Sequence, residues 1–452
     1  MGTTTTDETG AASESPDEIP DEIPDDADDA DEADEAVEAP PAPLLTLRDG
    51  LPTIVDTEEG LTAACAALGA ASGPVAIDAE RASGYRYSAR AYLIQLRREG
   101  AGTWLIDPIA FDDLSPLQEA LGDTEWILHA ASQDLVCLRE VGLRPAALFD
   151  TELAGRLLGY PRVGLATLVE TLLGQRMRKE HSAADWSTRP LPKAWLDYAA
   201  LDVEVLLELR ELMLTELAGA GKDEWARQEF EHLLDFEPAV RQDAWRRTSG
   251  VHRLRSRRSL AAAKALWEAR DEIAARRDVT PGRVIPDAAI VAAASALPID
   301  KAALMSTPGF HGRGADRYSR IWLSALEAVL AMPEEDLPLR APRQDGPPHP
   351  RMWAERDVAA DRRFKAARAS MLRLAQDHHL PVENLLTPDF VRRAMWTPPE
   401  TREPAELADE LRGQLLSYGA RPWQVALVTG ALTGAVLAGD VEPEVEAEVE
   451  AD

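Results

Sequence analysis

Four carboxylates and one phenol in this 452-residue chain have spacings that suit hydrolytic chemistry: Asp78 and Glu80, then Asp134, then Tyr198 and Asp202. Together they can hold two divalent cations and orient one water, which is what phosphodiester hydrolysis requires. The chain has 79 Asp and Glu in all, so the setting of these acids, not their number, carries the argument.

Those settings point to particular elements. Asp78 and Glu80 end the apolar run Val75-Ala76-Ile77, preceded by Gly73-Pro74, which predicts a buried strand opening onto a loop. With one residue between them, the two acids are expected on opposite strand faces. A twist or bulge at the strand end is then needed before both can reach one metal cluster. Tyr198 and Asp202 lie at i and i+4 in Pro192–Leu206, a segment with helical character, and so share one helix face.

The same patterns predict strands over Val75–Asp78, Tyr92–Arg97, Trp104–Asp107, Trp126–His129 and Ala147–Asp150. Helices are predicted over Asp113–Leu121, Asp134–Val141, Thr151–Leu158, Leu165–Leu173 and Pro192–Ala218. Consecutive strands followed by alternating helices indicate a mixed α/β sheet flanked by helices, with sites at the carboxyl ends of strands. Asp78 and Glu80 fall at such an end, and Asp134 closely follows another.

Beyond about Arg246 the strand signal vanishes and alanine-rich helical patterns take over. The expected organisation is an acidic tail over 1–42, a mixed domain over 43–240 and a helical unit over 246–335. A Pro-rich linker over 336–350, a second helical unit over 351–438 and an acidic tail over 439–452 complete it. The two helical units read as a loose duplication.

The net charge of −31 is concentrated at the ends. Residues 7–38 hold 16 acids and no base, and residues 440–452 hold seven more, leaving the body at −8. The N-terminal segment, with its repeated Asp-Glu-Ile-Pro, cannot bury enough apolar surface to fold alone. Two cysteines, Cys65 and Cys137, form neither a metal motif nor a disulfide framework, so a reducing, cytoplasmic setting is expected. The start is neither basic nor apolar, so no secretory leader is expected. The apolar stretch 425–439 is short for a bilayer and predicts a buried terminal helix.

Three segments carry a resemblance: Val75-Ala-Ile-Asp-Ala-Glu-Arg with Ala91-Tyr-Leu-Ile-Gln-Leu; His129-Ala-Ala-Ser-Gln-Asp-Leu; and Asp185-Trp-Ser-Thr-Arg-Pro-Leu running to Tyr198-Ala-Ala-Leu-Asp202. In order and spacing, over about 130 residues, they resemble the bacterial ribonuclease D family of the DEDD exonuclease superfamily. Tyr198 four residues before the last aspartate, with Asp197 where the other branch has histidine, resembles the tyrosine subclass. The resemblance implies a ribonuclease H-like exonuclease domain that removes nucleoside 5′-monophosphates from the 3′ end of RNA. By the same token Asp78, Glu80, Asp134 and Asp202 would be ligands for two Mg²⁺ or Mn²⁺ ions, and Tyr198 would orient the water. It also implies tRNA precursors or other structured RNA with a 3′ tail as partner, with no membrane and no organic cofactor. A DNA 3′–5′ exonuclease and a binding protein with a decayed site are the alternatives.

Residues 241–330 carry 16 Lys and Arg against nine Asp and Glu, with arginines at 246, 247, 253, 255, 257 and 258. This part resembles an HRDC domain, a helical nucleic-acid-binding module, and the second helical unit resembles the second such module of the family. Arg253, Arg255, Arg257 and Arg258 are candidate phosphate contacts of a salt-sensitive kind. His129, Gln133 and Arg189 are candidate RNA contacts near the carboxylates. The turn 307–312 offers backbone N–H groups to a phosphate. Trp353, Trp396 and Trp423 are expected in the core.

Overall fold

The computed structural model describes residues 42–178, 183–239, 242–340 and 346–440. The predicted acidic tails lie outside these residues except at their inner edges, as does part of the predicted linker. A six-stranded sheet is built from β1 (Ile54–Val55), β2 (Val75–Arg81), β3 (Ala91–Arg98), β4 (Gly102–Ile106), β5 (Glu125–Leu128) and β6 (Ala147–Asp150), in the order β1-β4-β3-β2-β5-β6. The strands β2, β3 and β4 run antiparallel to their neighbours among themselves, while β1, β5 and β6 add in parallel. Central strands covered on both faces read as near-continuous apolar runs, which is why Val75-Ala76-Ile77 is legible as a strand.

Side chains alternate across the sheet. Ile77, Ala79, Ile94, Leu96 and Ile106 enter the main core, whereas Leu93 and Leu105 join a separate cluster with Ala199 and Ala200. The helices of this part are α1 (Glu58–Ala70), α2 (Ser115–Leu121), α3 (Leu135–Glu140), α4 (Thr151–Leu158), α5 (Leu165–Leu168), α6 (Lys193–Glu204), α7 (Leu206–Gly219) and α8 (Asp223–Leu234). The α6 helix covers the Leu93–Leu105 face.

Several elements depart from the sequence reading. Neither β1 nor α1 was anticipated, although the Thr57 side chain accepts from Gly60 N at the α1 start in the usual capping manner. The segment Leu165–Leu173 is α5 followed by a π-type turn over Val169–Leu173. The single helix predicted over Pro192–Ala218 is two, broken at Val205 (φ −111°, ψ −7°). The residue before the break has remote partners. Glu204 is 1% exposed and pairs with Arg97 at 3.2 Å and Arg48 at 3.4 Å. A buried carboxylate needs such partners, and helical periodicity does not register them.

The first helical unit begins with α9 (Arg257–Arg277) and continues through helices at Asp287–Ala296, Lys301–Ser306, Gly312–Arg317 and Ser319–Ala331 around a core of its own. The second, from Trp353–Arg356 to Pro422–Gly439, shares the main core with the sheet. Trp225 of α8 stacks on Trp423 with ring centroids 4.7 Å apart, and Glu229 accepts from Trp423 Nε1 and Arg421 Nε. Lys222 Nζ donates to the carbonyls of both Leu157 and His378. Gly159 (φ +83°) sits so close to the second unit that a Cβ there would lie 2.4 Å from His379 O. The helix Pro422–Gly439 is long and apolar enough to cross a membrane, yet more than half of it is buried here, as a core helix would be.

Candidate active site

The sheet places Asp78 and Glu80 on one face, not two. Strand side chains repeat every second residue, so acids at i and i+2 point the same way, and the expectation of opposite faces was an error of period. That shared face is the one α6 covers. Oxygens of Asp78, Glu80 and Asp202 come within 4.8 Å of one another. The expected bulge exists but comes later. Glu80 pairs with Leu93 while Arg81 pairs with Ala91, which leaves Tyr92 as the extra residue on β3. It changes the setting of Arg81 and leaves the acids in register.

Only Val75 and Ala76 of β2 pair with β5. Beyond them this side of β2 is open, and the chain leaving β5 turns back toward it. Ala130 adopts a left-handed conformation (φ 59°), a short 3₁₀ turn follows, and Asp134 stands at the N-cap of α3. Its side chain caps nothing. Instead it is 5% exposed, and Oδ1 lies 3.6 Å from Arg81 NH2. Asp134 is therefore paired with Arg81 and near enough to the three-acid group for its charge to act on Glu80 and Asp202. Asp150 anchors this turn: its carboxylate accepts from the amides of Ala130 and Ala131 and from those of Glu152 and Leu153 at the start of α4. Neither Arg81 nor Asp150 was anticipated. The signals were present, in an arginine directly after the second acid and an Asp-Thr pair between a strand and a helix.

The electrostatics follow from burial of four acids around a single guanidinium among the described residues, Arg81. Burial pushes the Asp78 carboxyl up to about 6, against the Ala79 amide and Arg81, which favour its ionised form. Burial, then the charges of Asp78, Asp202 and Asp134, push Glu80 up to about 10. Asp134 and Asp202 also rise well above the carboxylate range, first through burial and then through Asp78. Tyr198 hydrogen-bonds to Asp202, and burial plus the surrounding acids push its phenol upward. At neutral pH it is therefore a hydrogen-bond donor and not a base. Protonating one of several crowded acids is the alternative to neutralising them with cations.

The donor set fits divalent ions of the hard kind, since it offers only carboxylate oxygens. Gln95 adds a second observation. It lies opposite Asp78 in the β2–β3 register, fully buried, with neither amide atom bonded among the described residues. Buried amides ordinarily find partners, so this one has capacity left for a group at the site.

The expected RNA contacts divide. His129 Nδ1 lies 2.9 Å from Thr151 Oγ1, whose hydroxyl also reaches Leu128 O, and burial pushes the imidazole down to about 4. His129 is thus a neutral residue held at the strand end, while Gln133 is exposed. Arg189 does not serve phosphate. Its donors go to both oxygens of Asp107 at 2.7 Å and to the carbonyls of Tyr92, Trp186 and Thr188. A guanidinium has five N–H groups, and all are spent within the protein.

The basic run divides as well. Arg258 donates to the carbonyls of Val329, Leu330 and Met332, tying down a helix end, and pairs with Glu334. Arg257 donates to the carbonyls of Leu337 and Pro338. Both are corrections to the phosphate-contact reading. Arg253 and Arg255 are exposed, and their side chains make no hydrogen bond or ion pair among the described residues. In the turn 307–312, Gly309 (φ +88°) packs so near Ala289 that a Cβ would lie 2.5 Å from it, a structural demand independent of any anion. Trp353 is fully buried and Trp423 nearly so.

Three family models match the chain: a 3′–5′ exonuclease over residues 52–218, an HRDC domain over 259–326, and a 3′ to 5′ exonuclease C-terminal domain over 346–436. The second helical unit thus answers to a model of its own. The curated ribonuclease D of Acidiphilium cryptum is 34% identical over 313 residues, which span 66% of this chain and 77% of that one. The chain belongs to the ribonuclease D family. It is a 3′–5′ exoribonuclease by that membership, and its carboxylates lie within the matched exonuclease region. Solved structures agree. A protein from Bifidobacterium adolescentis superposes with a TM-score of 0.80 at 36% identity, over 87% of this chain and 99% of its own. Escherichia coli RNase D, "an exoribonuclease involved in structured RNA processing", superposes with a TM-score of 0.60 at 27% identity, over 81% and 99%.

Proposed function

We propose that this ribonuclease D family member is a metal-dependent enzyme of the cytoplasm that trims the 3′ ends of tRNA precursors and other small stable RNAs. The observation that carries the reading is the convergence of Asp78, Glu80 and Asp202 within 4.8 Å, with Tyr198 bonded to Asp202. Asp78, Glu80, Asp134 and Asp202 would hold two Mg²⁺ or Mn²⁺ ions. When bound, such ions supply positive charge that favours water ionisation and stabilises a departing 3′ oxygen. Tyr198, its phenol kept protonated by its surroundings, would orient the attacking water. Asp134 joins the others by leaving Arg81, whose guanidinium then becomes available to a phosphate.

In this reading the exonuclease domain spans 43–240 and the helical modules 246–335 and 351–438. Exposed Arg253 and Arg255 would meet the RNA body, and Gln133 the strand near the site. The relative described as acting in structured RNA processing supports the substrate class. The two free cysteines fit a reducing compartment.

The test is a time course on 5′-labelled RNA with a hairpin and a single-stranded 3′ tail, in Mg²⁺, Mn²⁺ or EDTA, beside a matched DNA. A metal-dependent ladder shortening from the 3′ end and stalling near the hairpin is expected. Equal activity in EDTA would refute metal dependence, and faster degradation of the DNA would refute the RNA assignment.

A further inference from the structure

The loop that follows the β2 acids, residues 82–90, is fastened to the first helical unit chiefly at Asp278. Asp278 ends α9 in a left-handed conformation (φ 46°, ψ 53°). Its Oδ1 accepts from the amides of Tyr87 at 3.2 Å and Ser88 at 2.9 Å, and its Oδ2 from the Tyr92 hydroxyl at 3.3 Å. Neighbouring groups extend the seam. The Tyr87 hydroxyl donates to Asp271 at 2.8 Å, Thr280 N donates to Tyr85 O, and the Arg283 guanidinium lies 5.0 Å from the Tyr85 ring centre.

Asp278 is unfavourable for its own helix on two counts. A left-handed residue at a helix end is ordinarily glycine or asparagine. A carboxylate there also faces the negative end of the helix dipole. Its favourable side-chain bonds all reach across to the exonuclease region. A residue that is locally wrong and globally bonded marks a place where tertiary structure holds strain.

Arg86 of the same loop touches what precedes α6. Arg86 Nε donates to Ser187 Oγ at 2.8 Å, and that hydroxyl bonds Asp185. Tyr92 O accepts from Arg189, which also holds Trp186 and Thr188. The loop is therefore bonded through Tyr85, Tyr87 and Ser88 to the HRDC-type unit and, through the interleaved Arg86, to the lead-in of the helix carrying Tyr198 and Asp202, while Tyr92 at the start of β3 bonds both.

From this chain of contacts we infer that Asp278 is a positioning residue for the carboxylate site: through it the first helical unit braces the loop between β2 and β3, and with it the spacing of β2 against α6. This assigns the unit a second role besides RNA capture, and it rests on the carboxylate cluster being the hydrolytic site.

The two roles separate by substrate length. Asp278→Ala in the full chain is assayed on a hairpin RNA with a 3′ tail and on a diribonucleotide, with Mg²⁺ present, while amide exchange is followed at Tyr87 and Ser88. The brace predicts faster exchange at those amides and a kcat lowered about tenfold or more on both substrates, since small misplacements at a reacting centre are costly. It also predicts a KM for the hairpin RNA within about twofold of wild type. If Asp278→Ala does not fold, Tyr92→Phe, which deletes one bond and keeps the ring, is expected to shift kcat the same way by a smaller factor. Unchanged diribonucleotide turnover, or a change in KM for the long RNA alone, would overturn the brace. Wild type failing on both substrates would instead bring down the hydrolytic reading itself, and the inference with it.

Discussion

Replacing Glu80 with glutamine should stabilise the metal-free protein while abolishing hydrolysis. In the folded chain without cations, the Glu80 carboxyl is pushed from 4.5 to about 10, chiefly by burial and then by Asp78, Asp202 and Asp134. Between these values the native state keeps a proton that the unfolded chain has released. Stability therefore falls by about 1.4 kcal/mol per pH unit as pH rises through that window. Near pH 7.5 the accumulated cost is about 4 kcal/mol. Coulomb's law gives a similar figure: two unit charges 4.8 Å apart, the span of the acid group, repel by about 3.5 kcal/mol at an effective dielectric of about 20. Glutamine keeps the shape and removes the titration. The variant should then gain up to about 4 kcal/mol near pH 7.5 and almost nothing near pH 4.5, a rise of about 5 °C in Tm at the higher pH. Thermal and urea unfolding in EDTA across this range would measure it. Mg²⁺ at about 1,000 times its Kd should cancel the difference, because ligand in that excess adds about 4.1 kcal/mol to wild type alone. A Glu80→Gln protein less stable than wild type in EDTA at pH 7.5, or a difference that does not shrink toward acid, would refute the argument that the acids are crowded without cations.

Four further outcomes follow from named contacts. Tyr198→Phe should lower kcat by about 10²-fold or more with little change in Mg²⁺ affinity by calorimetry, since it removes a positioning hydroxyl and no carboxylate. Arg189→Ala should cost about 3 kcal/mol in urea unfolding, because it strands the buried Asp107 carboxylate. The salt dependence of RNA affinity should be unaltered in the protein that remains folded. The pair Arg253→Ala and Arg255→Ala should lower the slope of log affinity against log salt by about 1.5, whereas Arg258→Ala should lower stability and leave that slope intact. Gly159→Ala should destabilise by more than about 1 kcal/mol, through both its positive φ and the close carbonyl of His379, and should speed proteolysis of the second helical unit.

The parts legible in advance were those fixed by short-range pattern. Apolar runs located five of the six strands, and helical spacing put Tyr198 and Asp202 on one face. The missed β1 is two residues long and gains its pairing only from β4. The break at Val205 leaves no mark in helical spacing, and the partners of Glu204 beside it, Arg97 and Arg48, lie more than a hundred positions away. The shared face of Asp78 and Glu80 follows from the strand period of two alone.

Chain order is enough for the chemical inventory: hard oxygen ligands, a phenol one helical turn before the last of them, and a basic segment after an acidic front. Composition and spacing suffice for that because they are properties of neighbours along the chain. Tertiary structure alone decided which groups are free to act. Arg189, Arg257 and Arg258 look the same in sequence as Arg253 and Arg255, yet their donors are consumed by carbonyls and carboxylates brought near by folding. It also decided that Arg81 would hold Asp134 and that Asp278 would bind a loop some 190 residues away. A hydrogen bond needs a partner within about 3 Å, and chain order does not say which remote residue the fold will bring there.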